Sequence, residues 1–209
     1  MKKKLAVFDF DSTLMDGETI EIIAGEIGLQ KEVSEITRQA MEGELDFFDS
    51  LTYRVSLLKG IEEKRVDEIC HNLPYMQGAK ETISELKKHG YSVVCFSGGF
   101  KNATEHAKNI LGYDVDFSNI LHVKNGLLTG HAGGEMMFSD SKGRMLKKLQ
   151  TLLDITPENT IAIGDGANDL SMFKFAGTRV AFCAKPVVKE NATICIDQKD
   201  LRLILDKIL

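Results

Sequence analysis

Two aspartates, Asp9 and Asp11, stand two residues apart at the end of the apolar run Leu5 to Phe8, in the segment Asp9-Phe10-Asp11-Ser12-Thr13. In extended backbone that spacing points both side chains the same way. One carboxylate can then act as a covalent nucleophile in phosphoryl transfer while the other carries a proton. Asp11 could serve as the acid at neutral pH only if burial or nearby negative charge raised its pKa from about 3.9. Two other polar clusters could complete such a site: Ser97-Gly98-Gly99 and Asp165-Gly166-Ala167-Asn168-Asp169, with Lys142 ahead of the second. Asp9, Asp165 and Asp169 offer hard oxygens of the kind that suit Mg²⁺. Ser97, the Gly98 and Gly99 amides and the Lys142 ammonium offer a cradle for phosphate oxygens. Positioning and charge stabilisation are most of what phosphoryl transfer needs. Each residue alone has a plainer reading: Asp169 could simply cap the helix that Asn168 opens, and a strand-terminal Asp could cap another.

The surrounding elements predict how these clusters meet. Apolar runs at Leu5 to Phe8, Ser92 to Phe96, Thr160 to Ile163, Val180 to Phe182 and Thr193 to Ile196 read as strands buried on both faces. Between them lie helical stretches, Ala79 to His89, Lys101 to Leu111, Lys142 to Leu153, Asn168 to Ala176 and Leu201 to Leu209, several followed by a terminating glycine. This alternation predicts a doubly wound, mostly parallel α/β sheet of Rossmann-like type. In such a sheet the loops after the carboxyl ends of the strands form the ligand crevice, which is where all three polar clusters fall. Residues 15–75 contain no convincing buried strand; Ile20 to Ile27, Glu32 to Met41 and Glu62 to Leu73 carry helical apolar spacing, so a helical cap is expected there, with 1–14 and 76–209 forming the core. Asn125-Gly126, between Ile120–Val123 and Leu127–Gly130, predicts a small β-hairpin flap.

Composition narrows the function classes. The 209 residues are 43% hydrophobic and 27% charged with a net charge of −5, an ordinary globular balance without the broad basic surface that nucleic acid requires. No apolar run approaches the roughly 20 residues of a membrane span, and the Lys2 to Lys4 start runs straight into a strand, so neither a membrane partner nor a signal peptide is expected. Cys70, Cys95, Cys183 and Cys195 lack metal or redox spacing and read as buried free thiols of a cytoplasmic protein. The five histidines, His71, His89, His106, His122 and His131, show no paired spacing and read as surface or turn residues. Gly164-Asp165-Gly166 is not a dinucleotide fingerprint, since Asp169 takes the place of the third glycine, and no GxxxxGK[ST] element occurs. A signalling receiver also phosphorylates an aspartate, but it needs no helical insertion and no acid two residues on. The partner expected is a small molecule, and the chain is expected to act as a monomer or homodimer.

The segment Asp9 to Thr13 matches the DxDx[TV] motif of the haloacid dehalogenase superfamily. With Glu18-Thr19-Ile20, Met41-Glu42-Gly43, Arg54-Val55-Ser56-Leu57-Leu58, Ser97 to Phe100, Gly164 to Asp169 and Ala181 to Pro186, the chain resembles the phosphoserine-hydrolysing members of that superfamily. The resemblance implies hydrolysis of O-phospho-L-serine through a phospho-aspartyl intermediate, as the last step of L-serine biosynthesis. It makes Asp9 the nucleophile and Asp11 the acid-base. Mg²⁺ would be held by the Asp9 carboxylate, the Asp11 carbonyl and Asp165. Ser97, Gly98 and Lys142 would bind phosphate, with Gly99, Asn168 and Asp169 in support. Arg54 would take the substrate carboxylate and Glu18 its ammonium, while Met41 and Phe47 close the pocket. A zwitterion calls for one cation and one anion, and Arg presents a planar fork suited to a carboxylate. Arg54 and Glu18 could otherwise be solvated helix residues, and Met41 and Phe47 core residues. Other members transfer phosphate to an alcohol such as homoserine or hydrolyse other phosphomonoesters. Some carry an N-terminal regulatory domain; because the sequence starts at the nucleophile strand, feedback control by such a domain is not expected.

Overall fold

A computed structural model describes residues 3–209; Met1 and Lys2, which open the expected core and the Lys2 to Lys4 start, lie outside the described residues. Seven strands form one sheet: β1 (Lys4–Asp9), β2 (Tyr91–Phe100), β3 (Val115–Lys124), β4 (Leu127–Gly134), β5 (Thr160–Gly164), β6 (Thr178–Phe182) and β7 (Ile194–Ile196). Their order is β4-β3-β2-β1-β5-β6-β7, parallel throughout except for β4, which runs antiparallel to β3. The strand that ends in Asp9 is thus central. β2 and β5 flank it, and they bring the Ser97 and Asp165 clusters to either side of Asp9.

Alternation along β1 explains the layering. Ala6 and Phe8 face one side and join Val93, Cys95, Ile161 and Ile163; Leu5 and Val7 face the other and join Val94, Phe96 and Ala162. The first face is covered by α5 (Ala79–Lys88) and α6 (Lys101–Leu111), the second by α7 (Ser141–Leu153) and a short α8 (Leu170–Phe173). Burying a Phe or Leu side chain contributes roughly 1.5–3 kcal/mol, so this two-sided burial holds β1 rigid up to its last residue.

The chain leaves the sheet after Leu14 and returns at Met76. These crossings lie side by side, with a Met15–Tyr75 bridge, Asp16 N–H donating to Pro74 (2.8 Å) and Met76 N–H to Leu14 (2.9 Å). Between them are four helices, α1 (Thr19–Gly25), α2 (Gln30–Met41), α3 (Phe47–Leu57) and α4 (Glu63–Cys70). Three fall on the expected segments. The third, α3, was not expected; its apolar residues occupy more than one face, which blurs the helical period, while Asp46 caps its start by accepting from Asp49 N–H (3.0 Å).

Other departures are local. The Asn125-Gly126 turn joins β3 to β4 as foreseen, but β3 is a full strand of the main sheet beside β2 rather than one arm of a separate flap. The loop between α3 and α4 is stitched to this hairpin by Gly60 N–H to Leu128 (2.9 Å), Leu128 N–H to Ile61 (2.8 Å) and Glu63 N–H to Gly126 (2.9 Å). The Asn168 and Leu201 segments each begin as a 3₁₀ turn and leave only a short α-helix. All four cysteines are free, but Cys195 is exposed, because β7 is an edge strand with one face toward solvent, and Cys183, just past the end of β6, is only half-buried. His71, at the end of α4, stacks on His106 of α6 with ring centroids 4.1 Å apart, a pairing that 34 intervening positions hide from a search for local spacing.

Candidate active site

Beyond Asp9 the chain turns through Phe10–Leu14, closed by Met15 N–H donating to the Phe10 carbonyl (2.9 Å). Asp11 remains extended, so it faces the same cavity as Asp9. Ser12 takes a positive φ of 57°, which reverses the chain toward α1. Its hydroxyl donates to Glu18 Oε1 (2.7 Å), and Thr19, opening α1, donates both its N–H (2.8 Å) and its hydroxyl (2.5 Å) to Asp11 Oδ1. Asp11 and Glu18, the expected acid and ammonium site, are therefore fixed by one turn.

Lys142 ties the core loops together. Its ammonium lies 2.5 Å from Asp9 Oδ1 and 2.6 Å from Asp169 Oδ1, with all three side chains buried. Asp9 Oδ1 also accepts from Phe10 N–H (2.7 Å), leaving its other oxygen without a donor among the described residues. Asp169 is fully engaged, because Oδ2 accepts from the N–H groups of Asp165 (2.9 Å) and Gly166 (3.1 Å). It thus combines the two roles left open by its sequence position, closing the turn and standing beside the charged site. Gly164 is required for this: a β-carbon there would lie 2.2 Å from Asp169 Oδ2. The Asp165 carboxylate, also buried, accepts no hydrogen bond from any described residue.

A cavity with about 440 Å³ of space between its atoms, mouth included, is lined by Asp9, Asp11, Glu18, Met41, Phe47, Arg54, Gly98, Gly99, Asp165 and Asn168. Ser97 lies buried beneath it and accepts from Gly99 N–H (2.9 Å), on the last turn of strand β2 rather than inside a helix N-terminus, which begins at Lys101. Every site residue named from the sequence is thus in the cavity wall or bonded to it. Ile20, Leu51 and Phe100 complete the wall and were not singled out, although Phe47, Leu51 and Arg54 follow i, i+4, i+7 spacing that would have marked one helix face. Arg54 is only 3% exposed; Nη1 donates to Thr37 Oγ1 (2.9 Å) and Nε to the Ser50 carbonyl (3.2 Å), which aims the remaining N–H groups at the cavity. The helical segment sits down on the core loops: a β-carbon at Gly98 would be 2.8 Å from Phe47 Cζ, and one at Gly166 would be 2.7 Å from Met41 Sδ.

Electrostatics match this crowding. Burial, then Asp169, raises Asp9 to about 7 against the pull of Lys142. Burial, then Asp11, raises Glu18 to about 8, and burial with Asp9 raises Asp165. Asp11 is also raised by burial, with the Thr19 hydrogen bonds opposing, which is the direction an acid at neutral pH requires. Burial alone would lower Lys142, but Asp169 and Asp9 outweigh it and hold it charged. Oxygens of Asp9, Asp165 and Asp169 lie within 4.8 Å of one another. One cation cannot neutralise this many carboxylates. With Asp169 occupied, the bare Asp165 carboxylate and the second oxygen of Asp9 are the donors that fit a divalent ion.

Residues 3–177 match the family of haloacid dehalogenase-like hydrolases. The chain is 64% identical over 202 residues to a phosphoserine phosphatase of Wolinella succinogenes, covering 97% of this chain and 98% of that one. It is 52% identical over 204 residues to a phosphoserine phosphatase of Methanocaldococcus jannaschii, covering 98% and 97%. Two solved structures superpose over the whole of both chains with a TM-score of 0.97: a phospho-aspartyl intermediate analogue of phosphoserine phosphatase, 51% identical, and a substrate-bound phosphoserine phosphatase complex, 50% identical.

Proposed function

The chain belongs to the haloacid dehalogenase-like hydrolases, and from that premise we propose that it is a Mg²⁺-dependent phosphatase hydrolysing O-phospho-L-serine to L-serine and inorganic phosphate. The observation that carries the substrate is the placement of the Arg54 guanidinium and the Glu18 carboxyl group, which an incoming ammonium would ionise, in the same cavity wall as Asp9 and Asp11. A phosphomonoester whose alcohol also bears a carboxylate and an ammonium satisfies both. The phosphoserine phosphatases at 64% and 52% identity support the same choice.

In this reading the Asp9 carboxylate attacks phosphorus through one of its oxygens, the bond from phosphorus to the serine oxygen breaks, and Asp11 gives its proton to the departing serine. Asp11, now ionised, takes a proton from water; the water oxygen attacks phosphorus and releases Asp9 and phosphate. Lys142, the Gly98 and Gly99 amides and Asn168 hold the phosphoryl oxygens, with Ser97 bracing the glycine turn from below. Asp169 keeps Lys142 charged and oriented. Asp9, Asp165 and the Asp11 carbonyl would hold Mg²⁺, which when bound neutralises charge on the transferring group. Residues 15–75 form the cap, with Met41 and Phe47 excluding water. No helix among the described residues is long and apolar enough to cross a membrane. We place the activity in the cytoplasm, in L-serine biosynthesis, with a monomer or homodimer as the working unit.

A substrate panel with purified protein and Mg²⁺ tests this. Phosphoserine should be hydrolysed far faster than sugar phosphates, and Arg54→Ala should lose about 10²-fold or more on phosphoserine while sparing phosphoethanolamine, which lacks the carboxylate. Faster release from sugar phosphates would refute the substrate. Uniform loss across the panel would remove Arg54 from its role, and a new phosphoester formed with added homoserine would show transfer in place of hydrolysis.

A further inference from the structure

With the helical segment seated on Gly98 and Gly166, Asp9, Arg54, Lys142 and Asp165 are all buried. Covering the reacting groups in this way is the arrangement of a gating segment, which lifts and returns around substrate. On the hairpin side its return is guided by the backbone bonds of Gly60, Ile61 and Glu63. Near the reacting groups the contact is between side chains. Phe48, next to Phe47 on α3, stacks on Phe138 of the core with ring centroids 5.0 Å apart and planes within 9°. Phe48 is 37% exposed and Phe138 49%, so neither ring belongs to the core of its own body. The Arg144 guanidinium lies 5.6 Å from the other partner, the Phe138 ring.

Phe138 also forms the turn that starts α7. Its N–H donates to Ser141 Oγ (3.1 Å) and its carbonyl accepts from Ser141 N–H (3.0 Å), one residue before Lys142. The stack therefore joins the neighbour of Phe47 to the turn that presents the phosphate-binding lysine. Resting on the function proposed above, we infer that Phe48 is a positioning residue: by stacking on Phe138 it holds the cap down and, through Phe47, keeps the wall over Gly98 in place around bound substrate. A stacked aromatic pair is typically worth about 2- to 12-fold in an equilibrium, and removing it reduces the closed fraction and the apparent affinity together.

The chain contains no tryptophan, so Phe138→Trp supplies a single indole at the stack. With Mg²⁺ present, inorganic phosphate should shift its emission as the cap settles. Adding Phe48→Ala should weaken apparent phosphate affinity about 2- to 12-fold and raise KM for phosphoserine by the same factor, leaving kcat nearly unchanged; Phe48→Tyr should restore both. Unchanged affinity in Phe48→Ala, a loss confined to kcat, or failure of Phe48→Tyr to restore would overturn the inference. Should the parent protein not hydrolyse phosphoserine at all, the functional reading fails, while the phosphate titration still decides the role of the stack.

Discussion

Lys142 and Asp9, 133 residues apart in sequence, form an ion pair of 2.5 Å in which neither side chain is more than 7% exposed. The pair exists because β1 lies next to β5 and α7 delivers Lys142 over the end of both. Removing one member of a buried pair leaves the other uncompensated, at a typical cost of about 3–5 kcal/mol. Lys142→Met should therefore lower the stability measured by urea unfolding at neutral pH. It should also lower phosphate release by about 10²-fold or more, since a preorganised cation at the transferring group is lost. Full stability with full activity would show that Asp9 and Asp169 do not depend on Lys142.

Asp11 is held by two bonds from Thr19 and raised by burial. Asp11→Asn keeps the shape and both Thr19 contacts within reach but cannot give up a proton. Hydrolysis of phosphoserine should fall by about 10²- to 10⁴-fold. With p-nitrophenyl phosphate, whose leaving group needs no proton, the phosphorylation step should fall much less. Equal losses of that step for the two substrates, measured by a burst of nitrophenolate, would take the acid role away from Asp11.

Folding stability should respond to pH and metal together. Asp9, at about 7, and Glu18, at about 8, lie above their ordinary carboxylate values, burial being the main cause in each. Without metal, the folded protein then binds more protons than the unfolded chain between about pH 4 and pH 8, and stability falls as pH rises through that window. The exposed carboxylates lowered by arginine or lysine partners, such as Glu35 at about 2, act in the opposite sense but in more acid solution. In EDTA the melting temperature should thus be higher at pH 5.5 than at pH 8. A divalent ion binds the ionised carboxylates, so the rise in Tm on adding Mg²⁺ should be larger at pH 8. An equal or smaller rise there would contradict the cation site.

The sequence made the chemistry legible because strand-terminal residues carry their position with them. Asp9, Ser97 and Asp165 each end an apolar run, and a parallel sheet can only collect such ends at one edge. Asp11 shares the face of Asp9 through local spacing alone. What stayed hidden depends on contacts between distant segments. Thr19 holding Asp11, Thr37 and Ser50 holding Arg54, and the double engagement of Asp169 are ordinary polar residues until the fold supplies their partners. Helix α3 escaped because Phe47 and Phe48 face different things, one the cavity and the other Phe138, so its apolar residues do not form a single stripe.

The central claim is that Asp9 carries the phosphoryl group between substrate and water. Its most direct test is rapid acid quenching of the Mg²⁺-loaded protein turning over phosphoserine labelled with ³²P, followed by peptide mapping. The account predicts label on the peptide that contains Asp9, formed at least as fast as phosphate is released, and none in Asp9→Asn, which should also be inactive. Phosphate release by the native protein with no label on that peptide at any time point, or continued turnover by Asp9→Asn, would contradict it.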